Sequence, residues 1–129
     1  MNILAGNILL DTHVLLWWLG ASGRLSKKTR RTITESARVY VSAATVWEIA
    51  IKRALGKLEI PDNLEATLAA NSFVPLPISV SHAIAAGRLP RHHDDPFDRM
   101  LVAQAALESL TLLTADARLK AYDASIIMA

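Results

Sequence analysis

Residues 7–20 read NILLDTHVLLWWLG. The run Asn7–Leu10 is short, apolar and without alternation, the pattern of a strand covered on both faces. Asp11 ends it, and Thr12–Leu19 reads as a helix closed by Gly20 and Gly23. The same strand-then-helix pattern recurs outward. Ser26 caps a mostly polar helix predicted to reach about Arg38, and Val39–Val41 is a β-rich run. Ser42 then caps a helix to about Leu55, ended by Gly56, and Asp62–Ala70 is another helix. Phe73–Ile78 carries two prolines and can supply only a short strand. Ser79–Ala86 reads as a helix stopped at Gly87, followed by the polar loop Leu89–Asp95 (LPRHHDD). Pro96 suits the first position of a helix running to about Ser109. A strand at Leu110–Thr114, a short helix at Asp116–Ala121 and a strand at Ser125–Met128 complete the chain. Short buried strands alternating with helices predict an α/β fold, its short parallel sheet covered on both faces. With no repeat, low-complexity segment or linker, residues 1–129 are expected to form a single domain.

Composition narrows the chemistry. The chain has 129 residues, 52% of them hydrophobic and 20% charged, and no cysteine. A chain of this length buries roughly two-thirds of its unfolded surface, enough for a real core. The lack of cysteine excludes a disulfide framework, a thiolate zinc site and a cysteine nucleophile. Fourteen Lys and Arg against twelve Asp and Glu leave a net charge of +2, which permits a nucleic-acid partner without requiring one. The apolar N-terminus imitates a signal peptide, but no Lys or Arg precedes Arg24, and Asp11 and His13 interrupt it. Its longest apolar run, Val14–Leu19, is far shorter than the ~20 residues of a membrane span. The expectation is a soluble cytoplasmic protein with no membrane partner.

Four acids stand out by their company. Asp11 is the only Asp, Glu, Lys or Arg in the first 23 residues, and Glu48 is the only one in Ala43–Ile51 (AATVWEIAI). Asp98 opens a helix whose stretch Met100–Leu107 (MLVAQAAL) has no charge, and Asp116 directly follows a strand. Acids are rarely buried unless paired or metal-bound. In an open parallel sheet, ligands bind beyond the carboxyl ends of the strands, where Asp11 and Asp116 fall. Glu48 lies about 9 Å along its helix and Asp98 in the first turn of another, so all four can reach one crevice. Two carboxylates ~4 Å apart repel by about 4 kcal/mol at an effective dielectric of 20, so four converging ones call for a cation. An all-oxygen set selects Mg²⁺ or Mn²⁺, as one ion or a pair, able to activate water and stabilise a phosphoryl oxyanion. Each acid also has a structural reading. Asp116 can cap its helix, Asp98 can favour a helix N-terminus behind the cap Asp95, and Glu48 can pair with Lys52. Asp11 is the hardest to explain by structure alone.

The strings LLDTHVLLWWL, VSAATVWEIAIKRALGKLE, GRLPRHHDDPFDRMLVAQA and LLTADARLKAY resemble the PIN-domain ribonucleases, and among them the VapC-like toxins of bacterial toxin–antitoxin pairs. The match runs in order along essentially the whole chain. It implies a three-layer α/β/α sandwich and a Mg²⁺/Mn²⁺-dependent endoribonuclease that hydrolyses RNA phosphodiesters by metal-activated water and so inhibits translation. By motif, Asp11 (LLDTH), Glu48 (VWEIA), Asp98 (the second Asp of DPFDR) and Asp116 (TAD) are the implied metal-site and catalytic acids, with Glu48 either a ligand or a water-orienting base. Thr12 and Thr114 flank the site as residues that can orient carboxylates or water. The resemblance further implies a homodimer, a cognate antitoxin that blocks the acidic cleft, and a structured RNA substrate such as transfer or ribosomal RNA.

Other residues divide less cleanly. Arg24, Lys27, Lys28, Arg30 and Arg31, followed by Arg38, make either a solvated helix face or a phosphate-backbone contact. Lys52, Arg53 and Lys57 extend the same sign near Glu48, and Arg99 either touches substrate or pairs with an acid. Trp17 and Trp18, about 100° apart on a helix, cannot both face one core squarely, so one of them either packs or meets a partner. His92 and His93 are expected to be solvated, with a metal or acid–base role as the alternative, and His13 and His82 to pack or hydrogen-bond. Three rival functions remain at this level: metal-free RNA cleavage by His92 and His93, a phosphorelay receiver, and an inactive interaction module. The receiver lacks an early adjacent acid pair and a mid-chain phosphoacceptor, since Val39–Ser42 offers no Asp.

Overall fold

A computed structural model of the chain describes residues 6–20, 22–60 and 62–129. The first five residues, part of the apolar stretch weighed above as a signal peptide, lie outside the described residues. The strands are β1 (Asn7–Leu10), β2 (Arg38–Ser42), β3 (Val74–Leu76), β4 (Thr111–Thr114) and β5 (Ile126–Met128). The helices are α1 (Thr12–Leu19), α2 (Lys27–Glu35), α3 (Ala43–Ala54), α4 (Leu64–Ala70), α5 (Val80–Arg88) and α6 (Pro96–Leu107), with a 3₁₀ turn at Ala117–Ala121.

The five strands form one parallel sheet in the order β3-β2-β1-β4-β5. β1 is central: Leu9 pairs with Tyr40 on one side and with Leu112 on the other. Side chains alternate across the strands and so feed two cores. Ile8, Leu10, Val39, Val41 and Leu113 pack with Val14 and Leu15 of α1, Ile33 of α2, Ile49 of α3 and Leu68 of α4. On the opposite face, Leu9, Leu76 and Leu112 pack with Leu101, Val102 and Ala105 of α6. That is the three-layer α/β/α arrangement, and burial on both faces is why Asn7–Leu10 reads as a short apolar run without alternation. Among the described residues no helix is long and apolar enough to cross a membrane.

Several boundaries shift from the sequence reading. α2 stops at Glu35, because Arg38 already belongs to β2 and pairs with Asn7. α4 begins after Asn63, whose side chain accepts from Ala66 N–H, and Asp62 is not helical. α6 ends at Leu107, followed by Ser109 in the left-handed region (φ 55°). Gly87 does not stop α5: the helix runs on to Arg88, and a Cβ at Gly87 would meet nothing within 4 Å. Its end is set instead by the Arg99 guanidinium, which donates to Ala86 O (3.0 Å) and Leu89 O (2.9 Å). Gly56 does occupy the left-handed region (φ 71°) after α3, a conformation that favours glycine.

Candidate metal centre at the carboxyl edge of the sheet

β1 and β4 are parallel neighbours, so the residues that follow them emerge side by side. Asp11 leaves β1 as the N-cap of α1, its Oδ1 accepting from Val14 N–H at 2.8 Å. The acid hardest to explain by structure alone thus has a structural role as a helix cap. Its Oδ2 accepts from the Thr114 hydroxyl at the end of β4 and from Ala115 N–H at 3.3 Å. Thr114 Oγ1 in turn accepts from Asp116 N–H at 3.0 Å, so one threonine couples Asp11 to the chain carrying Asp116. Asp116 also caps the 3₁₀ turn through Arg118 N–H, as its structural reading allowed.

Asp98 reaches the same place from α6. Asp95 caps that helix by accepting from Asp98 N–H at 3.0 Å, and Pro96 takes its first position. Asp98 lies within electrostatic reach of Asp11. Glu48, on α3, is 7% exposed. Its Oε1 accepts from the Thr12 hydroxyl at 2.7 Å, and its Oε2 meets Lys52 Nζ at 2.8 Å. Thr12 Oγ1 lies 3.3 Å from Thr45 Oγ1. Glu48 is therefore tied to the residue beside Asp11 and is also half of the helical ion pair that its spacing allowed.

Two further residues join the site, His93 against its main expectation and Arg118 without any sequence expectation. His93, expected in solvent, is mostly buried, with Nε2 2.8 Å from Asp98 Oδ2 and 3.5 Å from Asp116 Oδ2. The side chains of His93, Asp98 and Asp116 each offer one ligand atom, all within 4.8 Å of one another. Arg118 forks onto Asp116 through Nε–Oδ1 (3.0 Å) and Nη2–Oδ2 (2.8 Å). A histidine just ahead of the Asp95–Pro96 helix start and an arginine two residues after Asp116 were the available sequence signals. Neither fixes a side-chain direction.

The electrostatics are those of an under-neutralised anionic pocket. Burial pushes the Asp11 carboxyl above its ordinary range, against the opposing hydrogen bonds from Thr114 and Val14. Burial does the same to Asp98, reinforced by the charges of Asp95 and Asp11 and opposed by His93. Asp116 goes the other way because Arg118 holds its ionised form. Two buried carboxylates thus ionise at a cost, while the third already carries a cation. This donor set, carboxylate oxygens with one imidazole nitrogen, fits a divalent cation.

The remaining candidates fall elsewhere. Arg99 donates to Ala86 O, Leu89 O, Pro90 O (3.1 Å), His93 O (3.3 Å) and Tyr122 Oη (3.4 Å), a structural role the sequence did not suggest. Arg24, Lys27, Lys28 and Arg31 are exposed. Arg30 is not free: it donates to Ser22 O at 3.0 Å and lies over the Trp18 ring. Trp17 and Trp18 are both half-buried against the core, and Trp18 Nε1 donates to Asn71 Oδ1. The most exposed large apolar side chains include Trp47, edge-on to Phe97.

Comparison with known proteins gives this site a family. The model of the PIN domain matches residues 8–125. Ribonuclease VapC22 of Mycobacterium tuberculosis is 30% identical over 118 residues, covering 89% of this chain and 91% of that protein. Among solved structures, VapBC2 from Rickettsia felis bound to a promoter DNA fragment superposes with a TM-score of 0.68 at 13% identity, covering 95% of this chain and 97% of that one. A toxin–antitoxin complex from Klebsiella pneumoniae gives a TM-score of 0.65 at 20% identity, covering 93% and 95% of the two chains. The family match spans both β1, which delivers Asp11, and β4, which delivers Asp116: this chain belongs to the PIN-domain family.

Proposed function

We propose that this protein is a Mg²⁺- or Mn²⁺-dependent endoribonuclease, the toxin of a toxin–antitoxin pair, which cleaves structured RNA in the cytoplasm and so inhibits translation. The observation that carries the reading is the cluster of Asp98 and Asp116 with His93, ligand atoms within 4.8 Å of one another, with Asp11 in electrostatic reach of Asp98 and Glu48 tied to Thr12 beside Asp11. The 30% identity to a named ribonuclease supports the activity. The likeness to chains from toxin–antitoxin complexes supports a cognate antitoxin as partner. We further infer that residues 1–129 act as one domain and that the working form is a homodimer.

Asp11, Asp98 and Asp116 would hold one or two ions. When bound, the ion supplies an activated water and neutralises charge developing on the phosphoryl oxygens. The protein's part is positioning. Asp11 is held by the backbone at Val14 and Ala115 and by the Thr114 hydroxyl, so its carboxylate is fixed before any ligand arrives. Glu48, held by Thr12 and Lys52, keeps an acceptor at the edge of the site where it can orient a water proton.

The test is cleavage of transfer or ribosomal RNA by the purified chain. Products with 5′-phosphate and 3′-hydroxyl ends are expected, with activity abolished by EDTA and in Asp11→Asn. Cleavage that survives chelation and leaves cyclic phosphates would assign the chemistry to His92 and His93 instead.

A further inference from the structure

We propose that His93 is a nitrogen ligand of the metal centre and tilts its selectivity from Mg²⁺ toward first-row transition ions, with Mn²⁺ preferred over Mg²⁺. The inference rests on the metal-dependent reading above, and it adds a residue and a selectivity to that reading.

The first argument is distance. Metal–ligand bonds of about 2.1 Å place neighbouring ligand atoms about 3.0 Å apart in an octahedron and about 3.4 Å in a tetrahedron. His93 Nε2 stands 2.8 Å from Asp98 Oδ2 and 3.5 Å from Asp116 Oδ2. Both separations are edges of such a polyhedron, and all three ligand atoms lie within 4.8 Å of one another.

The second argument is preorganisation. The His93 side chain is 9% exposed. Its backbone is gripped from two sides: its N–H donates to Tyr122 Oη at 3.0 Å, and its carbonyl accepts from Tyr122 Oη and Arg99 Nη1, both at 3.3 Å. Arg99 pins the rest of the loop through Leu89 O and Pro90 O. The adjacent His92 is exposed and packs edge-on to Tyr122, at 5.0 Å between ring centres. Of the two histidines, the fold thus sends one to the acids.

The third argument is donor chemistry. Mg²⁺ prefers oxygen and gives up its water reluctantly, whereas imidazole favours transition ions. One nitrogen among carboxylate oxygens therefore shifts the preference without making the thiolate-rich or three-histidine set typical of zinc.

The readout is Mn²⁺ on the full-length chain, followed by pulsed electron paramagnetic resonance. Nitrogen-14 modulation of the Mn²⁺ signal is expected in the wild type, retained in His92→Asn and His13→Asn, and lost in His93→Asn, which keeps a hydrogen-bond donor toward Asp98. Calorimetric titration should show the Mn²⁺-over-Mg²⁺ preference falling about tenfold or more in His93→Asn. Mn²⁺ bound without nitrogen coupling in the wild type overturns the role of His93 alone and leaves it a hydrogen-bonding support for Asp98. Failure of the wild type to bind either ion overturns the metal-dependent reading along with it. The wild-type spectrum alone can overturn the role, and nitrogen coupling that persists in His93→Asn overturns it as well.

Discussion

Asp98 pays for its position in a way that can be measured. Its carboxyl is pushed upward by burial, then by the charges of Asp95 and Asp11, with His93 opposing. An acid whose folded pKa is raised costs the folded state stability wherever it is ionised. The cost is complete above the raised value and vanishes below the ordinary value of 3.8. Asn at this position removes the charge and still offers an oxygen to His93 Nε2. In excess EDTA at neutral pH, Asp98→Asn should therefore melt at the same temperature as the wild type or a few degrees higher, and the gap should close as pH falls toward 3.8. A clear drop in thermal denaturation would make Asp98 a structural anchor. Asp11 is a poorer probe, because its carboxylate also caps α1 and accepts from Thr114 and Ala115, donors that an amide cannot serve equally well. Asp116 has the opposite sign: Arg118 lowers its pKa, so its contribution is present above the ordinary value and lost as acid protonates it. Arg118 is 67% exposed, and solvent screening keeps that contribution small.

At the scale of elements, the centre depends on a loop with no regular structure. Residues 89–95 join α5 to α6, and Arg99 holds them by donating to five acceptors, four of them backbone carbonyls. Methionine keeps much of the apolar stem and none of the donors. Arg99→Met should cost about 2–4 kcal/mol in urea unfolding and speed amide exchange across residues 86–93. Arg99→Lys should not restore either, since a single ammonium cannot span that fork. A loss below about 0.5 kcal/mol would show that packing alone orders the loop. The same residue shows what the sequence could and could not disclose. The short apolar run Asn7–Leu10 announced a strand buried on both faces, and its alternation with helices announced the parallel sheet. Local caps at Ser26, Ser42 and Asp95 marked helix starts, whereas the cap at Asp11 was not read from the sequence. The four acids were legible as candidates because Asp11 and Glu48 interrupt apolar stretches, Asp98 opens a helix with a long uncharged stretch and Asp116 directly follows a strand. Arg99, His93 and Arg118 were not, because their roles depend on acceptors from distant segments or on a side-chain direction that spacing leaves free. The end of α5 was misplaced for that reason: a local stop signal at Gly87 lost to a tertiary cap from α6.

At the scale of the molecule, the net charge of +2 conceals a separation that follows from connectivity. β1 runs toward the acids and α1 returns from them, an eight-residue helix about 12 Å long. The basic segment that follows therefore lies toward the opposite end of the sheet, and Arg38 confirms the direction by pairing with Asn7 at the start of β1. A cationic face at that end of the sheet is displaced from the acids. It can engage a more remote part of a folded RNA, where each phosphate neutralised contributes about 0.7–0.9 to the slope of log affinity against log salt. The exposed residues Lys27, Lys28 and Arg31 are the ones to change, since Arg30 is occupied with Ser22 O and the Trp18 ring. The triple alanine variant should bind a structured RNA more weakly, with a salt slope shallower by about 2–3. Its affinity for Mn²⁺ and its cleavage of an oligonucleotide only a few residues long should stay unchanged. The two substrates separate the possible outcomes. Equal loss on both would mean that the change had reached the acidic centre, and an unaltered salt slope on the long RNA would leave this face as a solvated helix surface with no part in recognition.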